Sequence, residues 1–270
     1  MRQFILENQI INNNLITLEG KDFRYLRQVL RCKVGDMINV RHQNGNLLET
    51  TVAKIDEKAH VVILQVCSDI SQIEFQGTDF SSNPLNQKCE FFLFQFLPRP
   101  QKFELIVRQA TECGISAVIP VLGEYSEESS ATILQGNKKE RIEKIIREAR
   151  QQSGSPVQTK VLPPFSLKQA CEFWQNEISC LQNEEKSLAL VLSERKEKEN
   201  SIANILKRTA SDVSFIKKAA LAVGSEGGIS PAEVEILQKE HFEPIHFDVN
   251  ILRCETAALY GIAAVQSAIL

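Results

Sequence analysis

The chain has 270 residues, 43% of them hydrophobic and 24% charged, with a formal net charge of −3. This is the balance of an ordinary folded protein, without the apolar depletion of a disordered chain or a stretch long enough to span a bilayer, and its charge excludes a global attraction to nucleic acid. Seven cysteines with no Cys-x-x-Cys spacing, and a beginning Met1-Arg2-Gln3-Phe4 that lacks a signal-peptide core, read as reduced core residues of a cytoplasmic protein with no metal site and no disulfide framework.

Short strands come first. Leu15 to Leu18 leads into a helical segment with Phe23, Leu26, Val29 and Leu30 on one face. Asp36 to His42, an Asn44-Gly45 hairpin signal, Leu47 to Ile55 and His60 to Val66 follow, a pattern that predicts a small β-barrel-like domain. Arg24, Arg27 and Arg31 fall at helical steps, with Lys33 just beyond and no acid between them. Such a stripe can line up phosphates, or it can be a solvated helix face. Ser68 to Gln87 is polar and without period, so the domain junction is expected there, giving domains 1–75 and 76–270.

Beyond the junction, strand and helix alternate. Cys89 to Leu97 is a nearly continuous apolar strand. Lys102 to Cys113 carries Phe103, Ile106, Val107 and Ala110 at helical spacing and stops at Gly114, and Ile115 to Val121 is strand again. Asn137 with Glu140 opens a helix, Ser166 opens another, Leu188 to Leu192 is a buried strand and Ile202 to Leu206 a short helix. The mixed-sign run Glu194 to Glu199 reads as a solvated loop. Alternation of this kind predicts an α/β domain with a parallel sheet and helices on both faces.

Two loops close the chain. Ala219 to Val223 is a charge-free strand that runs into Gly224-Ser225-Glu226-Gly227-Gly228, and a helix follows at once with Ser230 as cap, Pro231 in first place and Glu233 able to reach back to the Ser230 N–H. Three glycines in five residues let a ligand approach main-chain N–H groups. The spacing is neither the dinucleotide fingerprint nor a Walker loop, which disfavours ordinary NAD and ATP sites. A strand from Pro244 to Val249 then leads to Asn250-Ile251-Leu252-Arg253-Cys254-Glu255-Thr256 and a helix from about Ala257. Adjacent strand ends in an open α/β sheet form one crevice, so both loops are expected to face the same ligand.

The pairing of Gly-Ser-Glu-Gly-Gly-Ile-Ser-Pro-x-Glu-Val with Ile-Leu-Arg-x-Glu-Thr-Ala-Ala-Leu resembles the bacterial 16S ribosomal RNA uracil-N3 methyltransferases, the small-subunit methyltransferase E family of the SPOUT superfamily. Phe-Arg-Tyr-Leu-Arg-Gln-Val-Leu-Arg-Cys-Lys-Val-Gly-Asp is similar to that family's N-terminal PUA-like RNA-binding domain. The resemblance implies a PUA-like β-barrel followed by a SPOUT α/β domain whose C-terminal segment is threaded into a trefoil knot. It also implies a homodimer that methylates N3 of a uridine in 16S rRNA of the small ribosomal subunit from S-adenosylmethionine (SAM), without a metal.

Carried over residue by residue, Leu192-Ser193-Glu194, the loop at Gly224, Gly227 and Gly228, and Ile251, Leu252 and Thr256 are expected to hold the cofactor. Arg24, Arg27, Arg31, Lys33 and Lys102 are expected to meet RNA. Arg253 is the candidate cation beside the uracil, or a structural partner of Glu255 or Glu226. Glu226 is the candidate general base, or the carboxylate that holds the glycine loop. Tyr125, Ser155 and Asn250 stand where the family more often has basic residues. Methylation of another RNA base, or ribosome binding without turnover, are the rival readings.

Overall fold

The computed structural model describes residues 3–6, 11, 13–41, 47–69, 89–126, 132, 134–193, 201–209 and 212–269. The Asn44-Gly45 signal, most of the polar stretch from Ser68 to Gln87 and the charge run from Glu194 lie outside them. The chain divides into two compact units, 1–83 with 150–156, and 84–149 with 157–270.

The first unit holds β1 (Gln3–Ile5), β2 (Leu15–Glu19), α1 (Gly20–Arg24), β3 (Met37–Arg41), β4 (Leu47–Asp56) and β5 (Val61–Asp69). Their sheet has the order β1-β3-β4-β5-β2, parallel between β1 and β3 and antiparallel elsewhere. Ile16 and Leu18 of β2 turn inward with Phe4, Phe23, Val40 and Leu64, while Leu15, Thr17 and Glu19 face out, the period of two that a half-buried strand requires.

The helical face expected at Phe23, Leu26, Val29 and Leu30 is only partly kept. Phe23 and Leu26 are buried, but Val29 is 54% exposed. After α1 the chain takes a π-helical turn over Tyr25–Val29, in which Leu30 N–H donates to the Tyr25 carbonyl at 3.0 Å. A ring one residue wider than that of an α-helix rotates Val29 off the buried face.

Arg41 of β3 is 2% exposed; its Nε donates to Gln3 at 3.0 Å, and the Gln3 amide donates to the Arg150 carbonyl at 3.1 Å. Burial, and then the neighbouring Arg150 charge, bring the Arg41 guanidinium down to about 10.

The second unit is an open sheet ordered β12-β10-β11-β6-β7-β8 with β9 beside β7, and every pairing is parallel. Its strands are β6 (Glu90–Phe96), β7 (Ala117–Leu122), β8 (Lys160–Val161), β9 (Phe165–Ser166), β10 (Lys186–Leu192), β11 (Ile216–Val223) and β12 (Glu243–Ile245). Its helices are α2 (Pro100–Glu112), α3 (Asn137–Ser153, whose residues from Arg150 on count with the first unit), α4 (Leu167–Ile178), α5 (Ile202–Thr209), α6 (Pro231–Lys239) and α7 (Cys254–Ile269).

Strand β6 shows why the run from Cys89 is nearly continuously apolar. Phe91 and Leu93 pack with Phe103, Val107, Ile205 and Ile262 from α2, α5 and α7. Phe92, Phe94 and Phe96 pack on the other side with Cys171 and Trp174 of α4 and Leu237 of α6. A strand covered on both faces favours apolar residues at successive positions, and its one buried polar residue, Gln95, spends its amide on backbone carbonyls.

Three expected boundaries move. Strand β12 ends at Ile245 instead of Val249, because Val249 N–H bends back to the Phe247 carbonyl at 2.7 Å and stops the extension. Helix α7 begins at Cys254 instead of about Ala257, since Ala257 N–H already donates to the Arg253 carbonyl at 2.7 Å. Helix α2 begins at Pro100, whose ring fixes φ for a first helical position. Among the described residues no helix is long and apolar enough to cross a membrane.

Candidate active site

The C-terminal ends of β10, β11 and β12, neighbours in the sheet, open into a cleft of about 630 Å³. Its floor is the glycine loop. Gly228 N–H donates to the Ser225 carbonyl at 3.0 Å and the two residues form an antiparallel bridge. Gly228 has φ +78°, and a Cβ on Gly224 would lie 2.6 Å from the Gly228 carbonyl carbon. The turn is therefore closed at a spacing that side chains would not permit, and it leaves a shallow cradle at the strand end.

Two buried polar side chains fix the loop from outside. Gln95, fully buried in β6, donates from Nε2 to the carbonyls of Val223 at 3.3 Å and Gly224 at 3.0 Å. Glu233 completes the capping box expected from the sequence, with Ser230 N–H donating to Oε2 at 2.9 Å. Its other oxygen, Oε1, accepts from Glu124 N–H at 2.8 Å. The loop that carries Tyr125 is thereby tied to the start of α6, and Ser225 Oγ adds a bond to the Tyr125 carbonyl at 3.2 Å. The Tyr125 side chain is 47% exposed.

Ile251, Leu252 and Arg253 line the opposite wall together with Leu192 and Ser193. The Ser193 N–H donates to the Ile245 carbonyl at 2.8 Å, and His246 Nδ1 meets the Ser193 carbonyl at 3.0 Å. Ile251 is 91% exposed at the rim.

Charge enters from α2. Lys102 Nζ lies 3.4 Å from Glu226 of the glycine loop and 3.4 Å from Glu255 in the first turn of α7. Glu226 Oε1 also accepts from the Arg99 N–H at the start of α2, at 3.3 Å, where the helix dipole favours an anion. Cys254 Sγ donates to Glu255 Oε2 at 3.3 Å.

These contacts set the protonation states. Partial burial would raise the Glu255 carboxyl, but its own backbone N–H, the Cys254 thiol and Lys102 outweigh burial and hold it below its ordinary range. Burial would lower the Lys102 ammonium, and Cys254, Glu226 and Glu255 together hold it above its ordinary range instead. The Cys254 thiol is pushed up to about 12 by burial first, then by its bond to Glu255.

The expected site residues thus divide. Leu192, Ser193, Gly224, Glu226, Gly227, Gly228, Ile251, Leu252, Arg253 and Lys102 share one cleft. Thr256 is exposed in α7 and does not line it, and Glu194 lies outside the described residues. Lys102 stands between two carboxylates inside the cleft. Arg253 is exposed, and among the described residues no carboxylate pairs with it; the partners its structural reading required are taken by Lys102.

In the first unit, Arg24, Arg31 and Lys33 are exposed. Arg27 is instead bound at home: it sits 2.5 Å from Glu57 and also donates to the Cys32 carbonyl. The regular stripe is not kept, because the π turn intervenes and Arg31 takes φ +55° beyond it.

Sequence reasoning missed His246, Phe247 and Cys254 as lining residues, and missed Gln95 as the clamp. Cys254 was visible only as a core cysteine. Nothing local in the sequence marks Gln95 as the clamp, because the loop carbonyls it holds are more than a hundred positions away.

A family model described as an RNA methyltransferase domain matches residues 85–266, and one described as an RNA methyltransferase PUA domain matches residues 18–65. The fold and the cleft are those of an RNA methyltransferase that carries a PUA domain. A relative from Rickettsia conorii, named ribosomal RNA small subunit methyltransferase E, is 31% identical, with 97% of this chain and 93% of the relative covered. One of the same name from Bacillus subtilis is 24% identical over 98% of this chain and 96% of its own length. Among solved structures, the Neisseria gonorrhoeae ribosomal RNA small subunit methyltransferase E bound to S-adenosyl methionine superposes with a TM-score of 0.74 at 22% identity, covering 99% of this chain and 97% of that one. The chain belongs to the ribosomal RNA small subunit methyltransferase E family.

Proposed function

We propose that the protein transfers a methyl group from SAM to N3 of a specific uridine in 16S rRNA, that it does so in the cytoplasm on the small ribosomal subunit or its RNA, and that it works as a homodimer whose C-terminal segment is knotted. The observation that carries the reading is the meeting of the glycine loop with the 250–253 loop in one cleft. The residues present fit the cofactor: the Gly224–Gly228 turn is a cradle that a Cβ would fill, and Leu192, Val223, Ile251, Leu252 and Ala257 give apolar wall beside it. The structure of the gonococcal relative with SAM supports the same choice. The all-parallel order around β10 and β11, with α7 packed on β11 and α5, supports the knot.

SAM, when bound, supplies a methyl group on a sulfonium, which a nucleophilic nitrogen can take in line. The protein's share is alignment and charge. Holding the uracil edge at the cleft contributes on the order of several kcal/mol. Uracil N3 becomes nucleophilic as its proton leaves, and the charge spreads onto the flanking carbonyl oxygens. Arg253, a cation at the rim without a carboxylate partner among the described residues, is placed to stabilise that charge. Glu226 accepts the N3 proton, and the main chain of Gly224, Gly227 and Gly228, with Leu192, Ser193, Ile251 and Leu252, contacts the cofactor. Arg24, Arg31 and Lys33 offer three exposed cations to RNA phosphates.

Labelled SAM with small-subunit particles, followed by nucleoside mass spectrometry, tests the reading. Label recovered as 3-methyluridine supports it. Label in another nucleoside, or no transfer by a folded protein that binds SAM, overturns it.

A further inference from the structure

Glu226 uses its two oxygens unequally. Oε1 accepts from the Arg99 N–H at 3.3 Å and faces Lys102 Nζ at 3.4 Å, whereas among the described residues no donor reaches Oε2. Its side chain is 33% exposed, against 15% for Glu255. Glu255 is the more firmly held of the two carboxylates: its own backbone N–H, the Cys254 thiol and Lys102 make three donors, against two on Glu226, the Arg99 N–H and Lys102. A single ammonium therefore joins three elements, α2, the glycine loop and α7, while the second oxygen of Glu226, a residue that lines the cleft, takes no donor among the described residues.

We propose, resting on the methyltransferase reading above, that Lys102 is the positioning residue of the proton acceptor: anchored by Glu255, it grips Oε1 of Glu226 and presents Oε2 to the substrate. The division of labour follows from the number of donors. A carboxylate already bound by several donors favours its ionised form and is a poor base, while one held at a single oxygen keeps an open site for a proton. The anchor also limits how strongly the lysine acts on Glu226, because Lys102 shares its charge between two acids. The titratable groups that face Glu226 are Lys102 from α2 and Cys254 from α7, with Glu255 beyond the lysine. The thiol stays neutral across the working pH range, so Lys102 and Glu255 set the charge balance.

This assignment differs from an RNA contact for Lys102 in what each variant does. Removing the ammonium leaves two carboxylates facing each other, which favours the protonated acid and moves the acid limb of the methylation rate to higher pH. Removing the charge of Glu255 leaves the lysine to Glu226 alone and moves that limb to lower pH. The experiment compares Lys102→Met, Lys102→Arg and Glu255→Gln in the full-length protein, with small-subunit particles as substrate and SAM affinity followed by calorimetry.

We expect kcat to fall in Lys102→Met by about a hundredfold, the scale of a positioned acid–base contribution, with SAM affinity and the KM for particles little changed. We expect partial rescue by Lys102→Arg and opposite displacements of the acid limb in Lys102→Met and Glu255→Gln. A rise in KM for particles at unchanged kcat assigns Lys102 to RNA and overturns the proposal. So does equal loss of SAM binding in Lys102→Met and Lys102→Arg, or displacement of both limbs in one direction. If the wild-type protein transfers no label, the underlying reading fails instead, which the unaltered chain reveals before any variant is made.

Discussion

Gly224 and Gly228 approach so closely that a Cβ on Gly224 would lie 2.6 Å from the carbonyl carbon of Gly228 and 2.9 Å from its oxygen. Both contacts are with backbone, so a larger residue has no side chain to push aside. Gly224→Ala is expected to open the turn and weaken SAM binding by at least about tenfold, the equivalent of roughly 1.4 kcal/mol. The unfolding midpoint should move little, since the cradle is at the surface end of β11. Calorimetric titration with SAM, paired with a thermal melt, checks both halves; unchanged affinity would remove the glycine loop from the cofactor site.

Arg253→Ala is expected to lower methyl transfer by about 10²–10³, the usual loss when a preorganised electrostatic contact to developing charge is deleted. SAM affinity should be retained, because the exposed guanidinium holds no loop in place. Single-turnover transfer and calorimetry on the same preparation separate the effects. Equal loss of both would show that Arg253 acts through the cofactor pocket.

Glu233→Ala removes a cap from α6 and strands the Glu124 N–H at once. The expected loss is about 2 kcal/mol, from a lost helix cap and a partly buried unpaired donor. Ser230→Ala, which removes only the hydroxyl half of the box, should lose about half as much. Urea denaturation of the two variants gives the comparison, and equal losses would argue that the Glu124 bond contributes nothing.

The thiols should react unequally. Cys67 and Cys180 are exposed, whereas burial pushes Cys254 and Cys89 up to about 12 and Cys171 to about 11. The thiolate is the reactive form. A short iodoacetamide pulse at about pH 8 should therefore label the exposed Cys67 and Cys180 and leave the other three unlabelled in the folded protein. Peptide mass spectrometry after a short pulse reads the outcome directly. The charged pair in the cleft adds a stability term of known sign. The Glu255 carboxyl sits below its ordinary value, so its contribution is present above that value and lost as pH falls through the depressed one. The Lys102 ammonium sits above its ordinary value, so its contribution persists from low pH and is lost only as pH rises through the elevated one. The pair supports the fold throughout the neutral range.

Features set by neighbours in the chain were legible. The Ser230-Pro231-x-Glu233 box, the nearly apolar run of β6 and the stop at Gly114, where φ is +73°, each follow from a few adjacent residues. The two cofactor loops were legible as motifs, and their union in one cleft followed from strand adjacency. What failed depended on distance or on a break in period. Strand β1 is three residues long and is recruited by β3. The π turn at Tyr25–Val29 defeats any argument that assumes 3.6 residues per turn, which is why Val29 and Arg31 leave their expected places. Lys102 was expected on RNA, and only the folded chain brings Glu226 and Glu255 to either side of it.

Glu233 divides its oxygens between two segments far apart in sequence, one at its own helix start and one at Glu124. A carboxylate shared in this way makes a mechanical joint. The start of α6 cannot unwind without casting off the Tyr125 segment, and a load applied to Tyr125 from outside is borne by the same helix that follows the glycine turn. A displacement of the Tyr125 segment therefore reaches the floor of the cleft through the Glu124–Glu233 and Tyr125–Ser225 bonds.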